Sequence, residues 1–409
     1  MALTAEADVE HCGVCVPRGF TAGAAACDIR GDGDASRLDV AVIRSGPLAS
    51  VAGVFTRNLV KAAPVVISQL TLRRGGPIGA VVVNAGNANA CTGAQGFRDA
   101  LRMCAAAGDA LDLDPAQVLV CSTGVIGRLM PMDRVLAGIR EASTLNDETG
   151  DRVARAIMTT DTVPKCASSM FEHDGVAYSV GGIAKGAGMI HPDMATLLGF
   201  LTTDAALSAA GLQSLLRRVV DDTFNCLTVD GDTSPNDAVL LLANGAAGGM
   251  ALDADAAALS RLEGAVLDVC RSLTEQLVAD AEGAKRWFYV DVRGGADDAQ
   301  ARQAARTVAA SPLVKAAVHG ADPNWGRIVS ALGRSGATFA LDRCRIDIGG
   351  ITVFDRGSPS ECDLELVRRA LQQRRVDIGV QLGAGEGSAH SWGCDLTAEY
   401  VRINAEYTT

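Results

Sequence analysis

The residue with the clearest chemical potential in this chain is Thr196, in the segment KGAGMIHPDMATLLGFLTTDA at residues 185–205. A threonine hydroxyl is a weak nucleophile until a base takes its proton, and the α-amino group of the same residue can be that base. That amine exists only when the peptide bond between Ala195 and Thr196 has been cut. Because threonine in an apolar strand commonly only packs, the prediction of self-cleavage and acyl transfer depends on the rest of the chain.

That support comes from seven sequence blocks. They are VFTRNLVKAAPV (54–65), VVVNAGNANACTG (81–93), CSTGVIGRLMPM (121–132), AIMTTDT (156–162), TVDGDTSPND (228–237), HGADPNWGRI (319–328) and YVRINAEYTT (400–409). With these blocks in order, the chain resembles the ornithine acetyltransferase family nearly end to end. This family is also called the bifunctional glutamate N-acetyltransferase family.

The resemblance implies an enzyme of cyclic arginine biosynthesis. Thr196 would take the acetyl group of N-acetyl-L-ornithine as an acyl-enzyme, release ornithine, and pass the group to L-glutamate to give N-acetylglutamate. No cofactor or metal is expected, although some members of the family also use acetyl-CoA as a co-substrate. Two alternatives with the same nucleophile stay open on the sequence: an N-terminal-threonine hydrolase, and an acyltransferase of secondary metabolism with a different acyl donor or acceptor.

An acyl transfer needs donors that stabilise an oxyanion. The segment STGVIG (122–127) follows the predicted strand VLVC, and glycine at a strand end lets backbone amides approach a ligand closely. An ordinary strand-to-helix turn would have the same local pattern. The resemblance implies that the oxyanion hole is formed by Thr123 and Gly124.

Lys185 lies eleven positions before Thr196 in the KGAGM turn, where its ammonium group suits a substrate carboxylate. In MTTDT, Thr160 and Asp161 are as plausible on spacing as Thr159, so the choice of Thr159 rests on the resemblance. The resemblance implies substrate-binding roles for residues in both halves of the chain: Thr159, Lys185, Thr196, Glu282, Asn404 and Thr409.

Three residues differ from the pattern expected of the family: His191 and Asp193 before the nucleophile, and Pro235 in TVDGDTSPND. His191 is either an additional acid or base or a neutral substitution. These differences leave the acyl-transfer prediction unchanged and bear on which substrates are used.

The charge balance favours small-molecule partners. The chain has 37 Lys and Arg against 48 Asp and Glu, a net charge of −11, whereas nucleic-acid binding needs a basic surface. The N-terminal segment has no signal-like apolar region, and no run approaches the ~18 apolar residues of a membrane span. We therefore expect a cytoplasmic protein without nucleic-acid or membrane partners.

The twelve cysteines are scattered rather than paired. His11, Cys12 and Cys15 form an HCxxC cluster, but no second ligand pair with zinc-like spacing follows, so no metal site is predicted. Six cysteines among small or apolar residues are predicted to act as small hydrophobes: Cys27, Cys104, Cys121, Cys226, Cys270 and Cys394.

The alternation of short apolar runs with helical patterns predicts a mixed α/β fold, layered as in α+β proteins. Strands are predicted at DVAVIRS, VAGVFTR, PVVIS, AVVVNAG, VLVCSTG, DAVLLLANG, WFYVDVRG and VDIGVQLG, with a hairpin at IDIGGITVFD and a final strand pair around the tail. Helices are predicted over 97–110, 132–141, 151–158, 208–222, 254–281, 299–309 and 362–373.

The predicted cut divides the chain into an α chain, residues 1–195, and a β chain, residues 196–409. The resemblance implies that both build one fold and associate as a heterotetramer of two α and two β chains.

Overall fold

The computed structural model of this protein describes residues 13–34, 36–146, 149–191 and 197–406. Several residues considered above lie outside the described residues: His11, Cys12, Asp193, Ala195, Thr196 and Thr409.

The strands are β1 (Phe20–Ala25), β2 (Val40–Phe55), β3 (Ile78–Asn87), β4 (Val118–Val125), β5 (Lys165–His173), β6 (Val176–Lys185), β7 (Leu198–Thr203), β8 (Leu227–Thr228), β9 (Ala238–Ala243), β10 (Trp287–Gly295), β11 (Arg345–Ile348), β12 (Ile351–Asp355), β13 (Ser358–Pro359), β14 (Arg375–Gln381) and β15 (Gly387–Cys394). The α-helices are α1 (Ala63–Arg74), α2 (Gly93–Leu111), α3 (Met132–Thr144), α4 (Asp151–Ala156), α5 (Ala209–Asp221), α6 (Ala256–Ala279), α7 (Asp298–Ala309), α8 (Pro312–Gly320), α9 (Trp325–Gly333), α10 (Leu364–Leu371) and α11 (Ala398–Glu406).

Sequence periodicity explains the longest elements. In α6 the side chain of Asp255 accepts hydrogen bonds from the amides of Ala257 and Ala258, which caps the first turn. Buried apolar residues of α6 then recur every three or four positions: Leu262, Val266, Val269, Leu273 and Leu277. By contrast, every residue of β3 is buried, as expected of a central strand covered on both faces.

The strands form two sheets. The first has eight strands in the order β4-β3-β2-β9-β7-β6-β5, with β1 paired to β2, and the second has seven in the order β13-β12-β11-β14-β10-β15-β8. In the first sheet, β9 and β7 lie between β2 and β6, so strands from before and after residue 196 alternate in one hydrogen-bonded structure. The predicted α and β chains therefore share a sheet.

Helices cover these sheets in layers. On the first sheet, Leu216 of α5 and Leu273 of α6 are buried in one apolar cluster with Leu201 of β7. A separate cluster joins Met103 of α2 and Ile139 of α3 to residues of β2, β3 and β4. The arrangement is a layered mixed α/β fold.

Five of the cysteines predicted to be small hydrophobes are buried free thiols, and Cys27 is a half-buried one. No helix within the described ranges combines the length and the apolar character required to cross a membrane.

Some predicted elements are wrong. The run PVVIS is the first part of helix α1, because Pro64 takes a first-turn position where its missing N–H costs nothing. The Ser68 hydroxyl, one turn later, donates to the carbonyl of Val120 and accepts from its amide, which fixes the helix against β4.

Two other predictions differ from the structure: two predicted strands form one strand, and the tail contains a helix. DVAVIRS and VAGVFTR are both parts of the single strand β2, whose pairing with β3 shifts register between Arg44 and Ala49. The predicted final strand pair is one strand, β15, followed by helix α11. The Thr397 hydroxyl accepts from the Tyr400 amide, a side-chain cap that starts a helix where a strand was expected.

Candidate active site

A cavity of about 120 Å³ opens where β4 and β6 end. It is smaller than the roughly 300–1,000 Å³ of pockets for drug-sized ligands, so it suits a small amino acid. Its lining combines hydroxyl, amide, carboxylate and ammonium groups from both halves of the chain: Thr123, Gly124, Ile126, Thr159, Thr160, Lys185, Gly188, Met189, Asp230, Asp232, Ser234, Asn236, Glu282, Tyr400 and Asn404.

Thr123 and Gly124 form the β4 side of the cavity. Gly124 has φ +129°, and a Cβ there would lie 2.3 Å from the carbonyl carbon of Gly86. Only glycine tolerates both the conformation and the close approach. The strand end thus exposes backbone next to the Thr123 hydroxyl, an arrangement in which an amide and a hydroxyl can both donate to an oxyanion.

Lys185, at the end of β6, is the cavity's lysine. Its side chain is buried, and its Nζ donates to Thr123 Oγ1 over 3.4 Å. It forms no ion pair with any residue that the structure describes. Burial lowers the pKa of Lys185, and the negative charge of Asp161 opposes that effect. Because Thr123 accepts from Lys185, its own hydroxyl hydrogen is available to a bound ligand.

Asp161 lies behind the cavity wall and joins two of its segments. Its Oδ2 accepts from the amide of Thr159 at 3.0 Å, and its Oδ1 accepts from Gly186 N and Lys165 Nζ, both at 2.7 Å. Burial acts to raise the pKa of Asp161, but the charges of Lys185 and Lys165 bring it down to about 2. An ionised Asp161 therefore ties the MTTDT loop to the KGAGM turn.

Helix α11 closes the cavity from the C-terminal side. Asn404 Nδ2 donates to Glu282 Oε2 at 2.8 Å, and the Tyr400 hydroxyl donates to Asp230 Oδ2 at 3.2 Å. The backbone amide of Glu282 donates to Ala187 O at 2.9 Å, and its carboxylate lies against Gly188, in the same turn as Lys185. Of the two tail residues predicted to reach the site, Asn404 lines the cavity from this helix, and Thr409 lies outside the described residues.

The segment that leads to the predicted cleavage site is held by Asp230. Its carboxylate accepts from the amides of Met189 and Ile190 at 2.6 and 2.9 Å. His191 follows, and its Nδ1 lies 3.2 Å from Thr228 Oγ1. His191 is not among the residues that line the cavity.

Six predicted site residues are therefore brought together in one cavity: Thr123, Gly124, Thr159, Lys185, Glu282 and Asn404. Thr160, which spacing alone could not separate from Thr159, also lines it. The described residues on either side of the segment that contains Thr196 are His191 and Leu197. Leu197 and Ile190 are both buried in one apolar cluster. The roles assigned to all these residues stay predictions.

Asp237, which ends the TVDGDTSPND block, does not line the cavity but is close enough for its charge to act on Lys185, and the sequence did not single it out. It is almost fully buried, and neither carboxylate oxygen has a well-formed hydrogen bond to a described residue. Burial raises the pKa of Asp237 well above its usual value, although Lys185, the Ser234 hydroxyl and the Leu197 amide act to lower it. Burial thus favours the neutral form of this carboxyl group, which lies next to the start of β7.

Comparison of the chain with known protein families identifies the family to which it belongs. The ArgJ family model matches residues 21–409, which is most of the chain. The chain belongs to the ArgJ family. The arginine biosynthesis bifunctional protein ArgJ of Symbiobacterium thermophilum is 48% identical over 398 residues, covering 97% of this chain and 98% of that protein.

Two solved structures extend the comparison. A crystal structure of the arginine biosynthesis bifunctional protein ArgJ from Bacillus halodurans is 40% identical, with a TM-score of 0.50, over 51% of this chain and 98% of that chain. The ornithine acetyltransferase of Mycobacterium tuberculosis, crystallised with ornithine, is 36% identical over 47% of this chain and 97% of that chain, with a TM-score of 0.39.

Membership of the ArgJ family confirms the resemblance inferred from the seven sequence blocks. It also confirms the predicted mixed α/β fold and the prediction of an enzyme. The chain is an acyltransferase of arginine biosynthesis.

Proposed function

We propose that this enzyme transfers the acetyl group of N-acetyl-L-ornithine to L-glutamate through an acyl-enzyme on Thr196, after it has cut itself between Ala195 and Thr196. The observation that supports this most strongly is the meeting of Thr123, Gly124 and Lys185 in one small cavity. An oxyanion site and a carboxylate-binding cation in one place are what acyl transfer between amino acids needs.

Maturation is proposed as an acyl shift. Thr196 Oγ attacks the carbonyl carbon of Ala195, a C–O bond forms, the C–N bond between the two residues breaks, and the released amine takes the proton. Water then hydrolyses the ester, leaving a carboxylate on Ala195 and a free hydroxyl and amine on Thr196. The freed amine is the base for turnover.

Turnover is proposed to follow a ping-pong course. Thr196 Oγ attacks the acetyl carbonyl of N-acetylornithine, and its proton passes through the Thr196 amine to the departing amine of ornithine. The amine of glutamate then attacks the acetyl ester, releases N-acetylglutamate and restores Thr196. Thr123 and the Gly124 amide donate to the oxyanion in both steps.

The remaining polar groups are assigned by charge. Lys185 binds a substrate carboxylate, and Glu282, held by Asn404, binds a substrate ammonium group. Thr159 adds a hydroxyl donor, and Thr409 completes the site from the tail. No cofactor is part of this proposal, and acetyl-CoA is a further candidate acetyl donor.

We further propose that residues 1–195 and 196–409 stay together as α and β chains and assemble as a heterotetramer. The alternation of strands from both parts in one sheet supports their association, because separation would break the β2–β9 and β6–β7 ladders. The Bacillus halodurans chain supports two separate chains, since it is about half as long as this one.

The substrate assignment is tested by following the acetyl group. Purified enzyme is given N-acetylornithine labelled in its acetyl group, with and without glutamate. The proposal predicts labelled N-acetylglutamate and ornithine in equal amounts, with little free acetate. Acetate as the main product at saturating glutamate would favour the N-terminal-threonine hydrolase. If the label stays on N-acetylornithine and appears in neither N-acetylglutamate nor acetate, N-acetylornithine is not the donor.

A further inference from the structure

Behind the cavity lies a buried ionic group that the proposed reaction does not use. Lys165, at the start of β5, is fully buried, and its Nζ lies 2.7 Å from Asp161 Oδ1 and 2.6 Å from Asp280 Oδ2. It also donates to the carbonyl of Val163 at 3.3 Å. A buried ammonium group with two carboxylates satisfies the rule that buried charges are paired.

Asp161 is the carboxylate that Lys165 shares with the active site. It receives hydrogen bonds from Thr159 N, Gly186 N and Lys165 Nζ. Lys185 is close enough for its positive charge to lower the pKa of Asp161, yet the two side chains form no ion pair. Two lysines thus surround one carboxylate, and only Lys165 is bonded to it.

We propose that Lys165 is a positioning residue that keeps Lys185 available to the substrate carboxylate by occupying Asp161 in its place. This inference rests on the proposed role of Lys185 and explains how a buried lysine beside a buried carboxylate stays unpaired. Without Lys165, Asp161 would lose its ion-pair partner, and the lysine whose charge still acts on it is Lys185. A Lys185 paired with Asp161 would lose affinity for a substrate carboxylate.

The other charged groups around Lys185 do not replace Asp161 in this competition. They are Lys165, Asp237 and Glu282. Burial favours the neutral form of Asp237, which weakens its attraction for an ammonium group. The carboxylate of Glu282 lies against Gly188 and accepts from Asn404, so it is already engaged by a neutral donor. Asp161 is therefore the anion most able to capture Lys185.

A purely structural role for Lys165 makes a different prediction. Asp280 also accepts from the amide of Thr162 at 3.0 Å, so the same ionic group fixes the MTTDT loop. If Lys165 only held that loop, neutralising either Asp161 or Asp280 would disturb the site. Adding a substitution at Asp161 to Lys165→Met would then weaken substrate binding further. If Lys165 instead shields Lys185, removing Asp161 as well would relieve the effect.

The test compares Lys165→Met, the double variant Lys165→Met/Asp161→Asn, and Asp280→Asn in the full-length enzyme. Steady-state kinetics of acetyl transfer give KM and kcat for glutamate and N-acetylornithine, and thermal unfolding checks folding. We expect Lys165→Met to raise the KM for the substrate whose carboxylate Lys185 binds by roughly tenfold, about the effect of losing one charged hydrogen bond. The change in kcat should be smaller. The double variant should recover part of the lost affinity, because the asparagine oxygen can accept from only one of the amides of Thr159 and Gly186. Asp280→Asn should stay within about twofold of wild type because Lys165 keeps Asp161.

Lys185→Met separates this inference from the proposed function. If Lys185→Met raises KM and Lys165→Met does not, the shielding role is wrong and the proposed function stands. If Lys185→Met leaves KM unchanged, the proposed carboxylate site is itself wrong. A double variant that is worse than Lys165→Met would show a structural role. Should Lys165→Met not fold, Asp280→Asn decides, since a tenfold rise in its KM contradicts shielding and an unchanged KM supports it.

Discussion

Lys185 Nζ lies 3.4 Å from Thr123 Oγ1, so the proposed carboxylate-binding cation and the proposed oxyanion donor are in direct contact. Lys185 ends β6, and Thr123 is near the end of β4. Strands β3, β2, β9 and β7 separate β4 from β6 in the strand order of the first sheet. Because an ammonium group only donates, Thr123 must accept from it and turn its own hydrogen elsewhere. The groups proposed for substrate binding and for oxyanion stabilisation are thereby joined by one hydrogen bond.

Replacing Thr123 by valine removes the hydroxyl and keeps the shape. The Gly124 amide remains, so we expect kcat for acetyl transfer to fall, with ~2.7–4 kcal/mol as the upper range for one oxyanion donor, and KM for glutamate to change little. Ser122→Ala is the matched control, because the neighbouring Ser122 hydroxyl is buried and has no hydrogen-bond partner in the described part of the chain. Equal kinetics for Thr123→Val and Ser122→Ala would remove Thr123 from the oxyanion hole.

The pH dependence of substrate binding should reflect Lys185. Burial lowers the pKa of Lys185 from its usual 10.5, so its ammonium group is lost at a lower pH than that of an exposed lysine. KM for glutamate should therefore rise with pH at alkaline values below 10.5, and Lys185→Met should lack this rise. A rise that begins only above 10.5, or that persists in Lys185→Met, would assign the titration to another group.

Unfolding does not explain the same rise in KM. For a lysine whose folded pKa lies below its unfolded pKa, the unfolded state binds the proton more tightly, so raising the pH between the two values favours the folded state. The contribution of Lys185 to stability thus increases while substrate binding weakens. Thermal unfolding measured at each pH keeps these effects apart.

The C-terminal helix should be needed for activity more than for folding. Deleting residues 404–409 removes the Asn404–Glu282 hydrogen bond and leaves Tyr400 on Asp230. We expect at least a roughly tenfold loss of kcat/KM, since one charged hydrogen bond and the proposed role of Thr409 are lost, with a thermal transition close to wild type. Arg402→Ala is the control, as its ion pairs with Glu399 and Glu406 are exposed and on the same helix. Full activity of the truncated enzyme would show the tail to be dispensable.

Local sequence signals drew attention to part of the candidate site, but the roles of its residues came from the family resemblance. Thr123 and Gly124 follow the predicted strand VLVC, and Lys185 lies in a glycine-rich turn, but these patterns are also found in ordinary turns. The prediction of a strand at PVVIS was wrong because periodicity in so short an apolar stretch cannot distinguish a strand from a buried helix. Pro64 at its start was the signal for a helix.

The ionic group behind the cavity was not predictable in this way. Lys165 and Asp280 are 115 positions apart, and no local pattern marks them as partners. Asp237 belongs to a recognised block, yet its significance comes from burial at the start of β9, which depends on the packing of β7 and β2 around it. Such residues owe their properties to tertiary burial rather than to spacing along the chain.

The measurement that tests the central claim most directly is the intact mass of purified protein, with N-terminal sequencing of any fragments. The account predicts that wild-type protein consists of two fragments, residues 1–195 and 196–409, that co-purify, with the second beginning at Thr196. Thr196→Ala should remain one chain of about 42.1 kDa and transfer no acetyl groups, because it lacks the nucleophile. An uncut wild-type chain that transfers acetyl groups at full rate would contradict the N-terminal threonine mechanism, as would a cut at any other bond.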